Sequence, residues 1–371
     1  MKEIARQWII SALIDKKLPA LEAENWPAVV NLARSEGVLL LLESQLTKHF
    51  EFSSLSISLI EAVRCAARQD LLMQFQMLAE QQVVYKALVS ERISFLAMKG
   101  GALAHWLYEK PYLRIITDLD LLFPDKDSVA KLEPILAAIG YVSAPVAGKM
   151  ITHEHPFMKL GGPYGVYTVD AHWRLFNGAI LADSFSYSEL QSKAIELPGQ
   201  ESVRGLSPVH AFFNACGHRA LNLPFTTTLG IQNANSLRWL WDIHAMAGQF
   251  SEYQWHEIVL IAQQKNISAL VLDALLKTQS VFATQFSAKI CDALQQHQVT
   301  ETIKLHWFTA WPRYQWRVFI ASSSSWIGRI LWLIERIWPN PDAMRARYGE
   351  NEPTWKFMFK RIGVGFKRFF R

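Results

Sequence analysis

Residues 95–123, FLAMKGGALAHWLYEKPYLRIITDLDLLF, decide the fold. The apolar run 93–98 predicts a buried strand, which ends at the Lys-Gly-Gly of residues 99–101. Residues 102–108 have the composition of a helix, and residues 115–123 predict a second strand. A strand, a glycine turn, a helix and a second strand in this order indicate a core in which helices pack on a sheet.

Two aspartates, Asp118 and Asp120, stand two residues apart in the second predicted strand. Residues i and i+2 of a strand project from the same face, so both carboxylates point to one place. Carboxylates side by side in apolar surroundings repel each other and lose hydration unless a cation compensates. Grouped oxygen ligands suit Mg²⁺ or Mn²⁺ bound together with substrate phosphates. The alternative is a solvated strand end with two surface aspartates.

A third carboxylate comes from the segment YGVYTVDAHW, residues 164–173, which predicts another strand. Asp170 and His172 share one face of that strand. If the strand is adjacent to that of Asp118 and Asp120, it completes a site of the kind in which two metal ions lie ~3.5–4 Å apart. His172 is either a member of this site or a packed histidine.

The glycine turn is suited to binding an anionic ligand. Gly100 and Gly101 allow the backbone to approach a ligand closely. Free N–H groups at the start of the following helix favour an anion such as phosphate.

Together these motifs resemble the DNA polymerase beta-type nucleotidyltransferase superfamily, and more narrowly a bacterial family of uncharacterised nucleotidyltransferases. The pattern is Lys-Gly-Gly, then Arg114, then Asp-Leu-Asp, then Val-Asp-Ala-His-Trp. Residues 237–243 resemble that family's helical Arg-Trp-Leu…Asp segment, and residues 338–349 its C-terminal Pro…Met-Arg-x-Arg-Tyr segment. The similarity extends from about Ile93 onward.

The resemblance implies an α+β fold, with a small mixed nucleotidyltransferase-type sheet flanked by helices, and an NTP as donor with Mg²⁺ or Mn²⁺. It implies that Asp118 and Asp120 bind metal, and that Asp170, the third metal-binding carboxylate, activates the acceptor hydroxyl. Many superfamily members have Gly-Ser at the turn, so here backbone N–H groups would contact the phosphates. The expected nucleotide-binding residues are Lys99, Gly100, Gly101, Arg114 and His172.

The chain of 371 residues is long enough for two or three domains, at roughly 100–200 residues each. The predicted segments are a helical region at 1–90, the nucleotidyltransferase α/β core at 91–205, a helical domain at 206–300 and a basic, Trp/Phe-rich helical region at 301–371. In the third segment, His210, Asn214 and His218 lie four residues apart on one helix face. They face either the catalytic cleft or a packed interior.

The basic charge is concentrated near the C-terminus. The whole chain has a formal net charge of +5, and its last 17 residues hold six Lys and Arg and no acid. A basic amphipathic segment with aromatics at 355–371 suits an anionic membrane surface. It also suits a nucleic-acid backbone, or an apolar face docked on the protein itself.

The sequence predicts a cytoplasmic protein, with peripheral contact at the inner membrane surface as a further expectation. Its three cysteines are far apart and odd in number, which argues against a disulfide framework. No apolar run reaches the ~18 residues that a membrane-spanning helix needs.

These observations predict a metal-dependent enzyme that transfers a nucleotidyl group from an NTP to an acceptor. The acceptor is a small molecule, a protein or an RNA, and the sequence does not choose among them. The alternative is a non-catalytic nucleotide-binding or membrane-associated accessory protein of a biosynthetic system.

Overall fold

The N-terminal part of the chain is helical, as its apolar spacing predicts. The computed structural model describes residues 2–14, 17–49, 57–146, 148, 152–226, 233–323, 326–338 and 340–348. The first four helices are α1 (Lys2–Leu13), α2 (Trp26–Ser35), α3 (Leu39–His49) and α4 (Ile57–Ser90). Trp8, Ile9 and Leu42 are buried where α1, α2 and α3 meet. The long helix α4 continues from this core and packs Val84 and Leu88 against the sheet.

A single mixed sheet forms the centre of the molecule. Its strands are β1 (Leu96–Ala97), β2 (Leu119–Leu122), β3 (Val142–Ser143), β4 (Glu154–Gly162), β5 (Gly165–His172), β6 (Ile195–Glu196) and β7 (Arg204–Gly205). They lie in the order β3-β4-β5-β2-β1-β7-β6. Strand β2 is parallel to β5, and β1 is parallel to β7, whereas the other neighbours are antiparallel. The predicted α+β fold, a mixed sheet flanked by helices, is confirmed.

The two strands within residues 95–123 are shorter than predicted. Strand β1 has two residues instead of the run 93–98, because helix α5 (Lys99–Trp106) begins directly after Met98. Strand β2 begins at Leu119 rather than at residue 115. The backbone N–H and carbonyl of Ile116 are bound by the side chain of Gln74, on α4. The backbone groups of Ile116 are therefore hydrogen-bonded without a neighbouring strand.

Short helices connect the strands, and longer ones follow the sheet. The connecting helices are α6 (Lys126–Ala130), α7 (Leu132–Ala138) and α8 (Tyr187–Ser192). After the sheet come α9 (Pro208–Pro224), α10 (Leu237–Ala247), α11 (Glu252–Gln264), α12 (Ser268–Phe282), α13 (Ala288–Gln298), α14 (Trp311–Ala321), α15 (Trp326–Ile337) and α16 (Pro341–Tyr348).

The hydrophobic cores extend across the predicted segment boundaries. One core joins Leu96 of the sheet to Phe212 of α9 and Trp332 of α15. The core of the N-terminal helices includes Leu237 and Leu240 of α10. The helical segments therefore pack on the sheet and on one another, and the division into four domains stays a prediction.

In the described part of the chain, no helix combines the length and apolar character needed to cross a membrane. The predicted basic amphipathic segment at 355–371 lies outside the described residues.

Candidate active site

Three aspartates meet where strands β2 and β5 lie side by side. Asp120 of β2 is in register with Asp170 of β5 in the parallel pair. Asp118 precedes β2, and one carboxylate oxygen from each of the three aspartates lies within 4.8 Å of the other two. Clustered carboxylate oxygens are the ligands that Mg²⁺ and Mn²⁺ prefer, so these residues fit such an ion.

Asp120 is the most constrained of the three. Its side chain is 5% exposed, and Oδ1 accepts hydrogen bonds from Lys99 Nζ at 2.5 Å and from His172 Nε2 at 2.9 Å. Burial alone would raise the pKa of Asp120, but the Lys99 ammonium and the His172 hydrogen bond together lower it well below the usual value. Asp120 is therefore an anion held in one orientation.

The pKa values of Asp118 and Asp170 are shifted in the opposite direction, upward. Burial, followed by the charge of Asp120, raises the pKa of Asp118. Burial and the charges of Asp120 and Glu154 raise the pKa of Asp170 to about 8. The site has more negative charge than Lys99 compensates, which favours a bound cation.

Glu154 is a fourth carboxylate at the site, and it was not among the site residues expected from the sequence. It is in register with His172 across the antiparallel pair of β4 and β5. Its Oε2 lies 3.4 Å from His172 Nδ1, without hydrogen-bond geometry. Residues 163–164 form the hairpin turn between β4 and β5, and a bulge between Leu160 and Gly162 shifts the register by one residue.

Lys99 lies at the first position of α5 in an unusual backbone conformation. Its φ of 51° belongs to the left-handed region, which non-glycine residues seldom adopt. The ammonium contacts Asp120, so in this structure the lysine compensates a carboxylate. Its predicted contact with the triphosphate stays a prediction.

The two glycines of the turn allow close packing inside the protein. A Cβ on Gly100 would lie 3.1 Å from Arg114 Nη1, and a Cβ on Gly101 would lie 2.9 Å from Gln81 Nε2. Gln81 belongs to α4 and donates a hydrogen bond to the Gly101 carbonyl at 2.9 Å. These contacts explain the glycines without a ligand, and their predicted role in binding phosphate stays a prediction.

Arg114 is buried beneath the glycine turn. Its Nε and Nη2 donate hydrogen bonds to Asp242 of α10 at 2.9 and 2.7 Å, and Nη1 donates to the Ile115 carbonyl at 2.6 Å. The side chains of Arg114 and Asp242 are 6% and 4% exposed. This ion pair ties the chain before β2 to α10, and the predicted role of Arg114 in nucleotide binding stays a prediction.

A cavity of about 460 Å³ borders the site at Asp170 and Lys99. Strands β4 and β5 contribute Glu154, Asp170 and His172 to its lining. The other walls come from residues 175–179 and from α9, α14 and α15. A reactant bound in this cavity would lie against Asp170.

One comparison with known proteins identifies a family for this chain. Residues 22–283 match the family described as "Uncharacterised nucleotidyltransferase". A search of curated proteins found no match. Among solved structures, the chain is similar to an antigenic nucleotidyltransferase-like protein from Paracoccidioides brasiliensis, at 16% identity over 56% of this chain and 97% of that chain, with a TM-score of 0.31.

The family match begins at residue 22, earlier than the expected Ile93, and ends before the resemblance at 338–349. It spans more than half of the chain and includes the three aspartates, the glycine turn, Arg114 and Asp242. The chain belongs to the uncharacterised nucleotidyltransferase family.

Proposed function

We propose that this protein is a metal-dependent nucleotidyltransferase of the DNA polymerase beta type, which transfers a nucleotidyl group from an NTP to an acceptor hydroxyl. The observation that carries the proposal is the meeting of Asp118, Asp120 and Asp170 on adjacent strands, with oxygens within 4.8 Å. Such a group suits Mg²⁺ or Mn²⁺. The bound ion would neutralise charge on the phosphates during transfer.

The protein's own residues would orient the reactants and accept the proton. Asp120 is fixed by Lys99 and His172, so it presents a carboxylate oxygen in a constant position. The acceptor oxygen would attack the α-phosphorus and form the new P–O bond, while the bond to the oxygen bridging to the β-phosphate breaks and pyrophosphate leaves. The hydroxyl proton would go to Asp170, which lines the cavity.

The start of α5 would bind the triphosphate. The N–H groups of Gly100 and Gly101 lie in its first turn, where unpaired donors and the helix dipole favour anions. Arg114 supports the turn from beneath and adds positive charge next to Gly100. Lys99 would contact phosphate once a metal ion has replaced it at Asp120.

The substitution Asp118→Asn tests the proposal. It keeps the size of the side chain and removes a charged metal ligand, so we expect transfer to fall more than about 100-fold while the fold persists. Asp127→Asn is the matched control, because Asp127 is exposed on α6 and belongs neither to the carboxylate group nor to the cavity lining. Activity retained by Asp118→Asn would contradict the role of Asp118.

A second proposal concerns an anionic membrane surface, and the observation that favours it is the outer face of α15. Large apolar side chains are exposed there at 44–73%, namely Trp326, Ile327, Ile330, Leu331, Leu333, Ile334 and Ile337. An amphipathic helix with tryptophan and aliphatic residues exposed is typical of interfacial binding. The segment 302–338 has five Lys and Arg against one acid, and residues 355–371 are also basic, so an anionic surface would attract both.

Vesicle co-sedimentation tests this contact. We expect the protein to bind phosphatidylglycerol vesicles in preference to phosphatidylcholine vesicles, and Ile330→Glu/Ile334→Glu to weaken that binding. Leu160→Glu is the control, because Leu160 is 85% exposed on the β4–β5 hairpin. If the double substitution leaves vesicle binding unchanged, α15 does not contact the membrane. If vesicle binding is lost only when residues 355–371 are deleted, that segment makes the contact.

A further inference from the structure

Two helices beyond the residues that match the family contribute to the lining of the active-site cavity. The match ends at residue 283, whereas α14 contributes Tyr314, Gln315 and Val318 to the lining, and α15 contributes Trp332 and Arg336. Asp170 and Glu154 line the same cavity. A molecule that fills this cavity would therefore contact both Asp170 and residues outside the family match.

Three buried polar atoms on side chains that line the cavity have no hydrogen-bond partner among the described residues. They are His172 Nδ1, Asn214 Oδ1 and Trp332 Nε1, on residues that are 1%, 2% and 4% exposed. Buried polar groups are nearly always paired, and an unpaired one is destabilising. Asn214 Oδ1 is an acceptor and Trp332 Nε1 is a donor, and a hydroxyl group can serve both kinds of partner.

Besides the charged side chains of Lys99, Glu154, Asp170 and Arg336, the polar groups that line the cavity are mostly amides. They come from Asn177, Asn214, Asn222 and Gln315. Burial lowers the pKa of His218 to about 3, so its imidazole is neutral, and its Nε2 lies 3.2 Å from Asn222 Nδ2. The described lining has one lysine, Lys99, and one arginine, Arg336. A nucleic-acid backbone needs several cations in succession, which this lining does not offer.

The remaining lining is apolar and partly aromatic. Leu221 and Phe225 of the α9 end lie in the same wall as Tyr314 and Trp332. An apolar cavity with a few placed polar groups is typical of a site for a small molecule, and about 460 Å³ is within the usual size range for such sites. A sugar or cyclitol ring suits this lining, because it has C–H faces that pack on aromatic rings and a rim of hydroxyls for the amides.

We propose that this cavity is the acceptor site, and that the acceptor is a small, uncharged polyhydroxyl compound whose reacting hydroxyl lies at Asp170. This inference rests on the proposed nucleotidyl transfer and adds to it the chemical class of the acceptor. The hydroxyl oxygen forms the bond to the α-phosphorus, pyrophosphate leaves, and the product is a sugar or cyclitol that carries a nucleotidyl group.

The test begins with the donor. Calorimetry with Mg²⁺ first identifies the NTP that wild type binds, and wild type that binds no NTP would defeat the proposed function itself. Transfer of the α-labelled nucleotide is then measured to D-glucose, D-mannose, D-galactose and myo-inositol, and in parallel to an RNA oligonucleotide and to unfolded casein. We expect label on a member of the first group. Label only on RNA or casein, or on none of these compounds by wild type that binds NTP, would overturn the acceptor class.

Two substitutions then test the cavity wall. Asn214→Leu removes the unpaired amide at similar volume, and Trp332→Phe removes the indole N–H but keeps an aromatic ring. We expect each to raise KM for the labelled compound about three- to tenfold, the value of one neutral hydrogen bond, with the Kd for NTP changed less than about twofold.

The control is Trp316→Phe on α14, because Trp316 is 62% exposed and does not line the cavity. KM unchanged by both cavity substitutions would overturn the proposed site. A Kd for NTP that rises as much as KM would instead show that the cavity holds the nucleotide.

Discussion

The buried ion pair of Arg114 and Asp242 offers a direct test of how the glycine turn is supported. Asp242 accepts hydrogen bonds from Arg114 Nε and Nη2 and from the Tyr108 hydroxyl at 2.6 Å. Arg238, four residues before Asp242 on α10, is a half-buried cation nearby, and burial and the charge of Arg114 lower its pKa to about 10. Substituting Asp242→Ala therefore leaves the Arg114 guanidinium without its carboxylate and removes a negative charge that favours the cationic form of Arg238.

The expected loss of stability is large. Removing one partner of a buried ion pair costs about 3–5 kcal/mol, because the other charge stays buried without compensation. The side chains here are 6% and 4% exposed, so solvent screens them little. Replacing both partners by apolar residues, Arg114→Met/Asp242→Leu, removes the uncompensated charge of Arg114, so we expect it to cost less than Asp242→Ala alone, by about 1–3 kcal/mol.

Urea unfolding at neutral pH, followed by tryptophan fluorescence, measures these differences as shifts in the midpoint at unchanged slope. The control is Asp342→Ala, which breaks the pair with Arg345 on α16, where the two side chains are 70% and 52% exposed. We expect the control to cost less than about 1 kcal/mol. The reasoning is refuted if Asp242→Ala costs no more than Asp342→Ala, or if the double variant is no more stable than the single one.

Three further predictions concern the carboxylates. Lys99→Met should strengthen binding of Mg²⁺ alone about tenfold in calorimetry, because the ammonium that competes for Asp120 is gone; unchanged affinity would show that the two cations do not compete. His172→Ala should weaken Mg²⁺ binding about 10–100-fold, because Asp120 loses the donor that orients it, and His172→Asn should restore part of the loss; equal affinities in all three proteins would refute this. Mg²⁺ affinity should rise with pH until about pH 8, because the pKa of Asp170 is raised to about 8 and the metal must displace its proton below that pH. Calorimetry in buffers of different ionisation enthalpy should show proton release at pH 7 that Asp170→Asn abolishes, and a pH-independent affinity would contradict the raised pKa.

Local spacing predicted only part of the geometry of the three aspartates. The i, i+2 spacing places Asp118 and Asp120 together, and Asp170 joins them once its strand is adjacent to β2. That adjacency follows from the family resemblance rather than from spacing alone. The helical regions were also predictable from the sequence, because apolar residues such as Trp8 and Ile9 recur with the period of a helix.

Contacts between distant segments were not predictable. Asp242 is 128 residues from Arg114, and no periodicity links them. Gln81 and Gln74 lie on α4, outside the motif, yet they bind Gly101 and Ile116 and so explain the close packing at Gly101 and the late start of β2. The sequence suggested that the glycines contact a ligand, because it does not reveal that helix α4 packs against them.

Calorimetric titration of each NTP, with and without Mg²⁺, into wild type and into Asp118→Asn/Asp120→Asn tests whether the three aspartates form a metal-dependent nucleotide site. We expect wild type to bind at least one NTP only when Mg²⁺ is present, and the double variant, folded as judged by circular dichroism, to lose this binding. Folded wild type that binds no NTP in the presence of Mg²⁺, or a double variant that binds as wild type does, would show that the aspartates do not form such a site.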